Sequence, residues 1–244
     1  MAVVPELKHW IVVPIVGIAL ILALGFSEKL IPGVAQFQLD IDRWLDQHQN
    51  PVLTSVALAI NTILSPPGIV VILAVSFLFL LFVRRSPVNA FAFTSIAAVG
   101  WLSAEAFKLI VQMPRPDGRM LTHPAFAETG GHTSFPSGHT TFAAAFVIAS
   151  YLLARQTRAK PWVVAVGAIL VAVVGWSRLY GGAHYLLDVV GAVAVAFTVI
   201  ALYVGLWNRY GIRVLGWFGF LRRIGPVPGR GGAHSARATL PAPE

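Results

Sequence analysis

Long apolar stretches dominate this chain of 244 residues and constrain its fold more than any other feature. A helix needs about 20 mostly apolar residues to cross a hydrocarbon core of about 30 Å. Six stretches approach that length, and we predict a transmembrane helix in each: residues 10–26, 68–83, 88–107, 136–154, 161–176 and 185–207. The sequence therefore predicts an all-α protein with six membrane spans.

The composition fits a membrane protein and excludes several classes of site. Only 11% of the residues are charged and 57% are hydrophobic, whereas soluble domains carry about 25% charged residues. The absence of cysteine excludes disulfides, thiolate metal ligands and a thiol nucleophile. The net charge is +8, but the basic residues are scattered between apolar stretches. This pattern is typical of membrane topology signals, and we expect no nucleic-acid partner.

The distribution of lysine and arginine predicts the orientation of the chain. With six spans both termini lie on one face, and that face receives twelve of the 18 basic residues, against six on the other. The positive-inside rule places the termini in the cytoplasm. We therefore expect a multi-pass protein of the plasma membrane, with residues 32–67, 112–135 and 178–183 on the periplasmic or extracellular side.

Two segments outside the spans are predicted to lie at the membrane surface. Residues 34–48 have the spacing of an amphipathic helix. Its apolar face carries Phe37, Ile41, Trp44 and Leu45, and its charged face carries Asp40, Asp42, Arg43 and Asp46. Residues 52–64 are apolar but short, and the sequence leaves open whether they span the membrane or lie at the interface. We interpret residues 1–208 as one membrane domain and 209–244 as a basic cytoplasmic tail, first interfacial and then disordered.

The first polar cluster lies at the outer end of the third predicted span. Lys108 closes that span, and Arg115-Pro116 follows seven residues later. Ionisable groups at membrane depth are costly and usually functional, so these cations are candidates for binding an anion. Lys108 has an alternative interpretation, because it can reach the interface or pair with Glu105 three residues earlier.

The second cluster is Ser134-Phe135-Pro136-Ser137-Gly138-His139, which opens the fourth predicted span. Serine and proline favour helix starts, and a helix N-terminus offers free N–H groups to an anion. Gly138 allows a ligand to approach the backbone closely. The alternative is an ordinary capped helix with a histidine at the interface.

The third cluster is Ser177-Arg178, followed by Gly181-Gly182, His184 and Asp188. If the sixth span starts near His184, that histidine and Asp188 lie four residues apart on one helical face. A carboxylate there can hold one ring nitrogen and leave the other free to attack. The alternative is a histidine–aspartate pair that only ties down a helix end.

The predicted topology puts the three clusters on the same outer face. Together they supply three cations, a helix N-terminus and two histidines that can share the roles of nucleophile and general acid. We see no cluster of carboxylates or cysteines that offers a metal site. The combination predicts transfer of a phosphoryl group from a lipid, with no metal or other cofactor.

At eleven positions these clusters resemble the three-part signature of the type 2 phosphatidic acid phosphatases, a family that shares its site with vanadium haloperoxidases. The matching residues are Lys108, Arg115-Pro116, Pro136-Ser137-Gly138-His139, Ser177-Arg178, His184 and Asp188. The motifs span residues 108–188, and the layout of six spans extends the similarity over about residues 10–208. This signature is specific for the family and says little about the substrate.

The resemblance implies an integral membrane phosphatase and a role for each signature side chain. His184 would attack phosphorus and form a phosphohistidine, Asp188 would orient it, and His139 would protonate the leaving oxygen. Lys108, Arg115 and Arg178, with Ser137 and the backbone of Gly138, would hold the phosphoryl oxygens.

Three functions remain open at this point. The first is a hydrolase acting on a lipid phosphate or diphosphate, for which bacterial members of the family suggest polyprenyl diphosphate, the recycled carrier of cell-wall synthesis. Phosphatidylglycerol phosphate, phosphatidate and a prenyl-phosphoryl sugar phosphate would use the same cations. The second is a lipid phosphotransferase, and the third is a non-catalytic lipid transporter or binding protein. The sequence does not give the oligomeric state.

Overall fold

The computed structural model describes residues 4–122, 125–126 and 133–227, and within these ranges the chain forms nine α-helices and no strand. The helices are α1 (Val12–Leu30), α2 (Val34–Gln47), α3 (Pro51–Ile63), α4 (Pro66–Leu78), α5 (Pro87–Val111), α6 (Gly138–Ala154), α7 (Lys160–Tyr180), α8 (Leu186–Leu206) and α9 (Ile212–Trp217). The predicted all-α class is therefore confirmed for the described residues. Residues of the predicted loop 112–135 and of the tail 209–244 fall partly outside them.

Within the described ranges, five helical segments are long and apolar enough to cross a bilayer: Val12–Leu30, Pro66–Val83, Pro87–Val111, Lys160–Tyr180 and Leu186–Trp217. Each overlaps a predicted span, although the helices extend past several predicted ends. The fourth predicted span, residues 136–154, forms the 17-residue helix α6, which is apolar but shorter than the other five. Six spans, the cytoplasmic termini and the outward-facing site stay predictions.

The centre of the bundle is built from α5, α6 and α8, which pack on one another. Small side chains line these contacts and are almost fully buried: Ala90, Ala92, Ala97, Ala145, Ala149 and Ala196. Small residues let helix backbones approach closely, which favours packing inside a membrane. α7 packs against α6, α1 against α8, and α4 against α5.

The amphipathic helix α2 turns some of its polar side chains toward the protein. Gln38, Asp42 and Asp46 are buried, whereas Phe37 and Trp44 are exposed. An aromatic face exposed on a membrane protein suits the interface with lipid, which agrees with the predicted position of this segment.

The short helix α3 has 13 residues and rises about 20 Å along its axis, too little to cross a bilayer alone. It packs against α7 and connects to α4 through a turn at Leu64 and Ser65. At the other end of the chain, Leu215 and Leu221 belong to the main hydrophobic core together with Val4. The first part of the predicted tail is thus packed on the bundle.

Candidate active site

One cavity of about 190 Å³ lies where α5 and α7 end and α6 begins. It is lined by Leu64, Pro66, Ile69, Trp101, Glu105, Lys108, Arg115, Gly138, His139, Arg178 and His184. The structure therefore brings together six of the eight predicted site residues around one space. The other two, Ser137 and Asp188, are buried behind its wall.

His184 and Asp188 are in contact, but not in the predicted way. Nδ1 of His184 lies 3.3 Å from Oδ2 of Asp188. The expectation that both lie on one helical face is wrong, because α8 begins only at Leu186 and His184 precedes it. The contact forms because the Asp188 carboxylate folds back over the start of α8, where the backbone N–H of Tyr185 donates to the same oxygen over 2.8 Å. Nε2 is the ring nitrogen that Asp188 does not contact.

The turn before His184 depends on its two glycines. Gly182 has φ of +69°, a conformation that side chains disfavour, and a Cβ on Gly181 would lie 1.9 Å from the ring of Phe126. The backbone N–H of Phe126 also donates to the carbonyl of Gly181. These constraints allow the chain to turn from α7 into His184 within a few residues.

The second cluster starts α6 two residues later than predicted. The helix begins at Gly138, because the backbone N–H of Ser137 donates to the carbonyl of Asp188 instead of following a helical path from Pro136. Ser137 is the N-cap residue, but its side chain makes no capping bond and accepts from the Thr140 hydroxyl over 3.2 Å. His139 therefore stands in the first turn of α6, at the cavity.

Lys108 is both a cation at the candidate site and a partner of Glu105, the two interpretations that the sequence left open. It lines the cavity, and its Nζ donates to Oε1 of Glu105 over 2.9 Å. The Lys108 side chain is mostly buried, whereas Glu105 is 60% exposed. Nζ also lies so near α6 that a Cβ on Gly138 would meet it at 3.4 Å. The small side chain at position 138 thus leaves room for this ammonium group at the helix N-terminus.

Arg178 is among the most completely buried side chains, with 1% exposure. Nη1 donates to Oδ1 of Asn61 over 2.7 Å, and the guanidinium stacks over Phe126 with 4.4 Å to the ring centroid. Nη2 is buried and has no hydrogen-bond partner, and the same is true of Nε2 of His139. A buried polar nitrogen without a partner is costly, so within the described residues these two atoms mark a place where a ligand is expected.

The charges around the cavity favour a neutral His184. Burial lowers its pKa to about 4, and the cations Arg115 and Lys108 act in the same direction, while Asp188 opposes them. Burial also lowers the pKa of Arg115, and the carboxylates of Asp188 and Glu105 oppose this shift. A histidine that is neutral near pH 7 has a lone pair available for attack.

Among the described residues no group of three or more histidine, aspartate or glutamate side chains is arranged to hold a metal ion. The independence of the activity from metal stays a prediction, since it concerns the reaction.

Sequence reasoning placed Ser134 in the second cluster without giving it a role, and it missed Asn61 and Phe126. Ser134 donates to Asp188, Asn61 holds Arg178, and Phe126 stacks on that arginine. Asn61 carried a weak signal, because it follows Thr54 and Ala57 at helical spacing on the face of α3 that meets α7. Phe126 carried none, since it belongs to none of the three motifs and to no predicted span.

Comparisons with known proteins agree with this geometry. The sequence matches the family model of the PAP2 superfamily over residues 88–211, which is just over half of the chain. The chain belongs to the PAP2 superfamily. Membership makes it a membrane-bound phosphoric ester hydrolase, and the resemblance drawn from the three motifs is confirmed.

Two solved structures share the fold of this PAP2 protein. The PAP2-type phosphatidylglycerolphosphate phosphatase from Bacillus subtilis has a TM-score of 0.66 at 20% identity, covering 81% of this chain and 96% of its own. LpxE from Aquifex aeolicus has a TM-score of 0.50 at 21% identity, covering 70% and 95%. A search of curated proteins found no significant match.

Proposed function

We propose that this PAP2 protein hydrolyses a lipid phosphate or diphosphate through a phosphohistidine formed on His184. The observation that supports this most directly is the pair of unpartnered buried nitrogens, Arg178 Nη2 and His139 Nε2, on residues that line one cavity with His184. A phosphoryl group would supply an acceptor for Nη2 of Arg178 and, when His139 is protonated as the proposed mechanism requires, for Nε2 of His139 as well. The proposal retains both termini in the cytoplasm and a site that faces the periplasm or extracellular side.

In the first step Nε2 of His184 attacks phosphorus. A phosphorus–nitrogen bond forms while the bond from phosphorus to the leaving oxygen breaks. His139 donates a proton to that oxygen, so the lipid departs as an alcohol, or as a lipid monophosphate if the substrate is a diphosphate. Asp188 orients His184 through Nδ1 and stabilises the positive charge that the ring acquires.

In the second step water attacks the phosphorus of the phosphohistidine. The water gives a proton to His139, the phosphorus–nitrogen bond breaks, and inorganic phosphate leaves. Lys108, Arg115 and Arg178 would stabilise the negative charge on the equatorial oxygens in both transition states, together with Ser137 and the backbone N–H of Gly138. An electrostatic contribution of this kind is usually the largest in such reactions.

For the substrate we propose a polyprenyl diphosphate, converted to polyprenyl phosphate and inorganic phosphate. A site on the outer side of the membrane and the bacterial relatives of this signature support this choice. Phosphatidylglycerol phosphate is the main alternative, because a structural relative is described as a phosphatase for that lipid. Phosphatidate and a prenyl-phosphoryl sugar phosphate are the other candidate substrates.

The test is release of inorganic phosphate by purified protein in detergent across these four lipids, with His184→Ala as the inactive control. With a ³²P-labelled substrate, a lipid alcohol added in excess would separate hydrolysis from phosphotransfer. A phosphotransferase would move the labelled phosphoryl group onto that alcohol, whereas a hydrolase would release it as inorganic phosphate. Acid-labile label on the protein from a ³²P-substrate is expected with wild type and absent with His184→Ala. Turnover without any labelled protein intermediate, or equal turnover by the variant, would contradict the mechanism.

A further inference from the structure

Among the described residues, every direct partner of the Arg178 guanidinium is neutral. Nη1 donates to the amide oxygen of Asn61, Nε makes a long contact of 3.3 Å with the Ser177 hydroxyl, and the ring of Phe126 covers one face. Lys108 differs, because its ammonium is paired with the carboxylate of Glu105. Within the part of the chain that the structure describes, Lys108 is thus paired with an acid, whereas Arg178 is held without a counter-charge.

Asn61 belongs to α3, outside all three motifs, and the structure fixes it firmly against α7. The Tyr180 hydroxyl accepts from the backbone N–H of Asn50 over 3.0 Å and lies 2.9 Å from the hydroxyl of Thr54. Gln49 donates to the Tyr180 carbonyl over 3.0 Å. Because α3 is anchored at its start in this way, its helical register sets the position of Asn61 two turns after Thr54.

We infer that Asn61 is a positioning residue, which fixes the guanidinium of Arg178 through a neutral oxygen so that Nη2 and the uncompensated charge remain for a phosphoryl group. The inference rests on the proposed phosphoryl site. Burying an arginine is costly, and a carboxylate partner would lower that cost by neutralising it. The same carboxylate would repel a dianionic phosphate at the position that Nη2 serves. An amide accepts the same hydrogen bond without this repulsion.

Asn61→Asp separates this role from a purely structural one. The substitution keeps the shape and the acceptor oxygen, so a structural role predicts an unchanged protein. Our inference predicts that the inhibition constant of vanadate and the KM for a short-chain lipid phosphate both rise by about tenfold or more, because a charge-assisted contact to phosphate is weakened. The kcat should change less than KM.

Ser55→Asp is the matched control, because it adds the same charge at an exposed position one turn after the start of α3 and is not among the residues that line the cavity. It should leave the vanadate constant within about twofold of wild type, since its charge is screened by solvent. Melting temperatures of all variants report folding independently of the ligand.

A second route places the charge on protein that has already folded. The chain has no cysteine, so Asn61→Cys offers a single thiol. One sample is treated with a thiosulfonate reagent that adds a neutral methylthio group, and another with a thiosulfonate reagent that adds a negatively charged sulfonate. The sulfonate should weaken vanadate binding relative to the methyl group.

Unchanged vanadate affinity in folded Asn61→Asp, or equal affinity after both labels, would overturn the inference while leaving the phosphatase proposal intact. Absence of vanadate binding and of phosphate release in wild type would overturn the proposed function, and with it this inference.

Discussion

The hydroxyl of Ser134 donates a hydrogen bond of 2.5 Å to Oδ2 of Asp188, and both residues are fully buried. The same oxygen accepts from the backbone of Tyr185 and contacts Nδ1 of His184. Asp188 is therefore oriented by the segment before α6 as well as by its own helix. This links the second motif region to the third before any ligand enters.

Ser134→Ala should lower kcat by about tenfold while the KM changes little, because removal of one buried hydrogen bond is worth about 1 kcal/mol or more. The reason is that Asp188 loses a partner that fixes the carboxylate against His184. Thr133→Ala is the control, since Thr133 is exposed and next in sequence. A loss of equal size in both variants would indicate that the segment as a whole has moved.

The two histidines should respond differently to the leaving group. His184→Ala should lose turnover on every substrate, whereas His139→Ala should be impaired by about 10²–10⁴-fold on a lipid monophosphate and much less on p-nitrophenyl phosphate. p-Nitrophenolate departs with little need for a proton. The comparison uses folded variants and a wild type that accepts both esters. Equal fractional losses for His139→Ala would mean that His139 binds phosphate and is not the acid.

Activity should survive EDTA, because in the proposed mechanism Lys108, Arg115 and Arg178 supply the positive charge for the transition state. Vanadate should inhibit, since it can adopt five-coordinate geometry next to His184. The measurement is phosphate release with and without chelator, followed by added magnesium. Loss of turnover in EDTA that magnesium restores would show that a metal takes part.

Cysteine labelling tests the predicted sidedness. Thr122 and Thr157 are both exposed and lie in loops at opposite ends of the bundle. In intact cells an impermeant maleimide should label Thr122→Cys and spare Thr157→Cys, and permeabilised cells should allow both reactions. The opposite pattern would turn the site toward the cytoplasm and remove the argument for a polyprenyl diphosphate.

Asp42 should make stability depend on pH. Burial, with the charge of Asp188, raises the pKa of Asp42 to about 8 from its ordinary value of 3.8, and both its oxygens lack partners. Glu28 and Tyr185 are the other titratable groups that interact with it. Between the unfolded and the folded pKa of Asp42, the folded state binds more protons than the unfolded state. Asp42 therefore makes the free energy of unfolding fall as the pH rises from about 4 to 8. The slope is at most about 1.4 kcal/mol per pH unit.

Thermal unfolding at pH 5 and pH 8 measures this effect as a difference between variants. Wild type should lose stability relative to Asp42→Asn as the pH rises. Asp40→Asn should follow wild type, because Asp40 is exposed and paired with Arg43. Parallel behaviour of wild type and Asp42→Asn would mean that Asp42 is already ionised at pH 5.

The sequence predicted the all-α class because apolar runs of span length have few alternatives, and it found the signature residues because their types and spacing are specific. It placed His184 and Asp188 on one helical face because spacing alone does not reveal that the Asp188 carboxylate caps the start of α8. It also missed Asn61 and Phe126. Their roles depend on how α3 and the Phe126 ring pack on Arg178, and neither position belongs to a local pattern.

The helix α6 has no exposed residue along its whole length, whereas α1 and α4 expose many apolar side chains. Hydrophobic mismatch acts on the surface that touches lipid, and helices adapt to it by tilting. A change in bilayer thickness therefore acts directly on α1 and α4, while α6 is shielded by its neighbours. The helix N-terminus that carries Gly138 and His139 is in this way kept out of direct contact with the surrounding lipid.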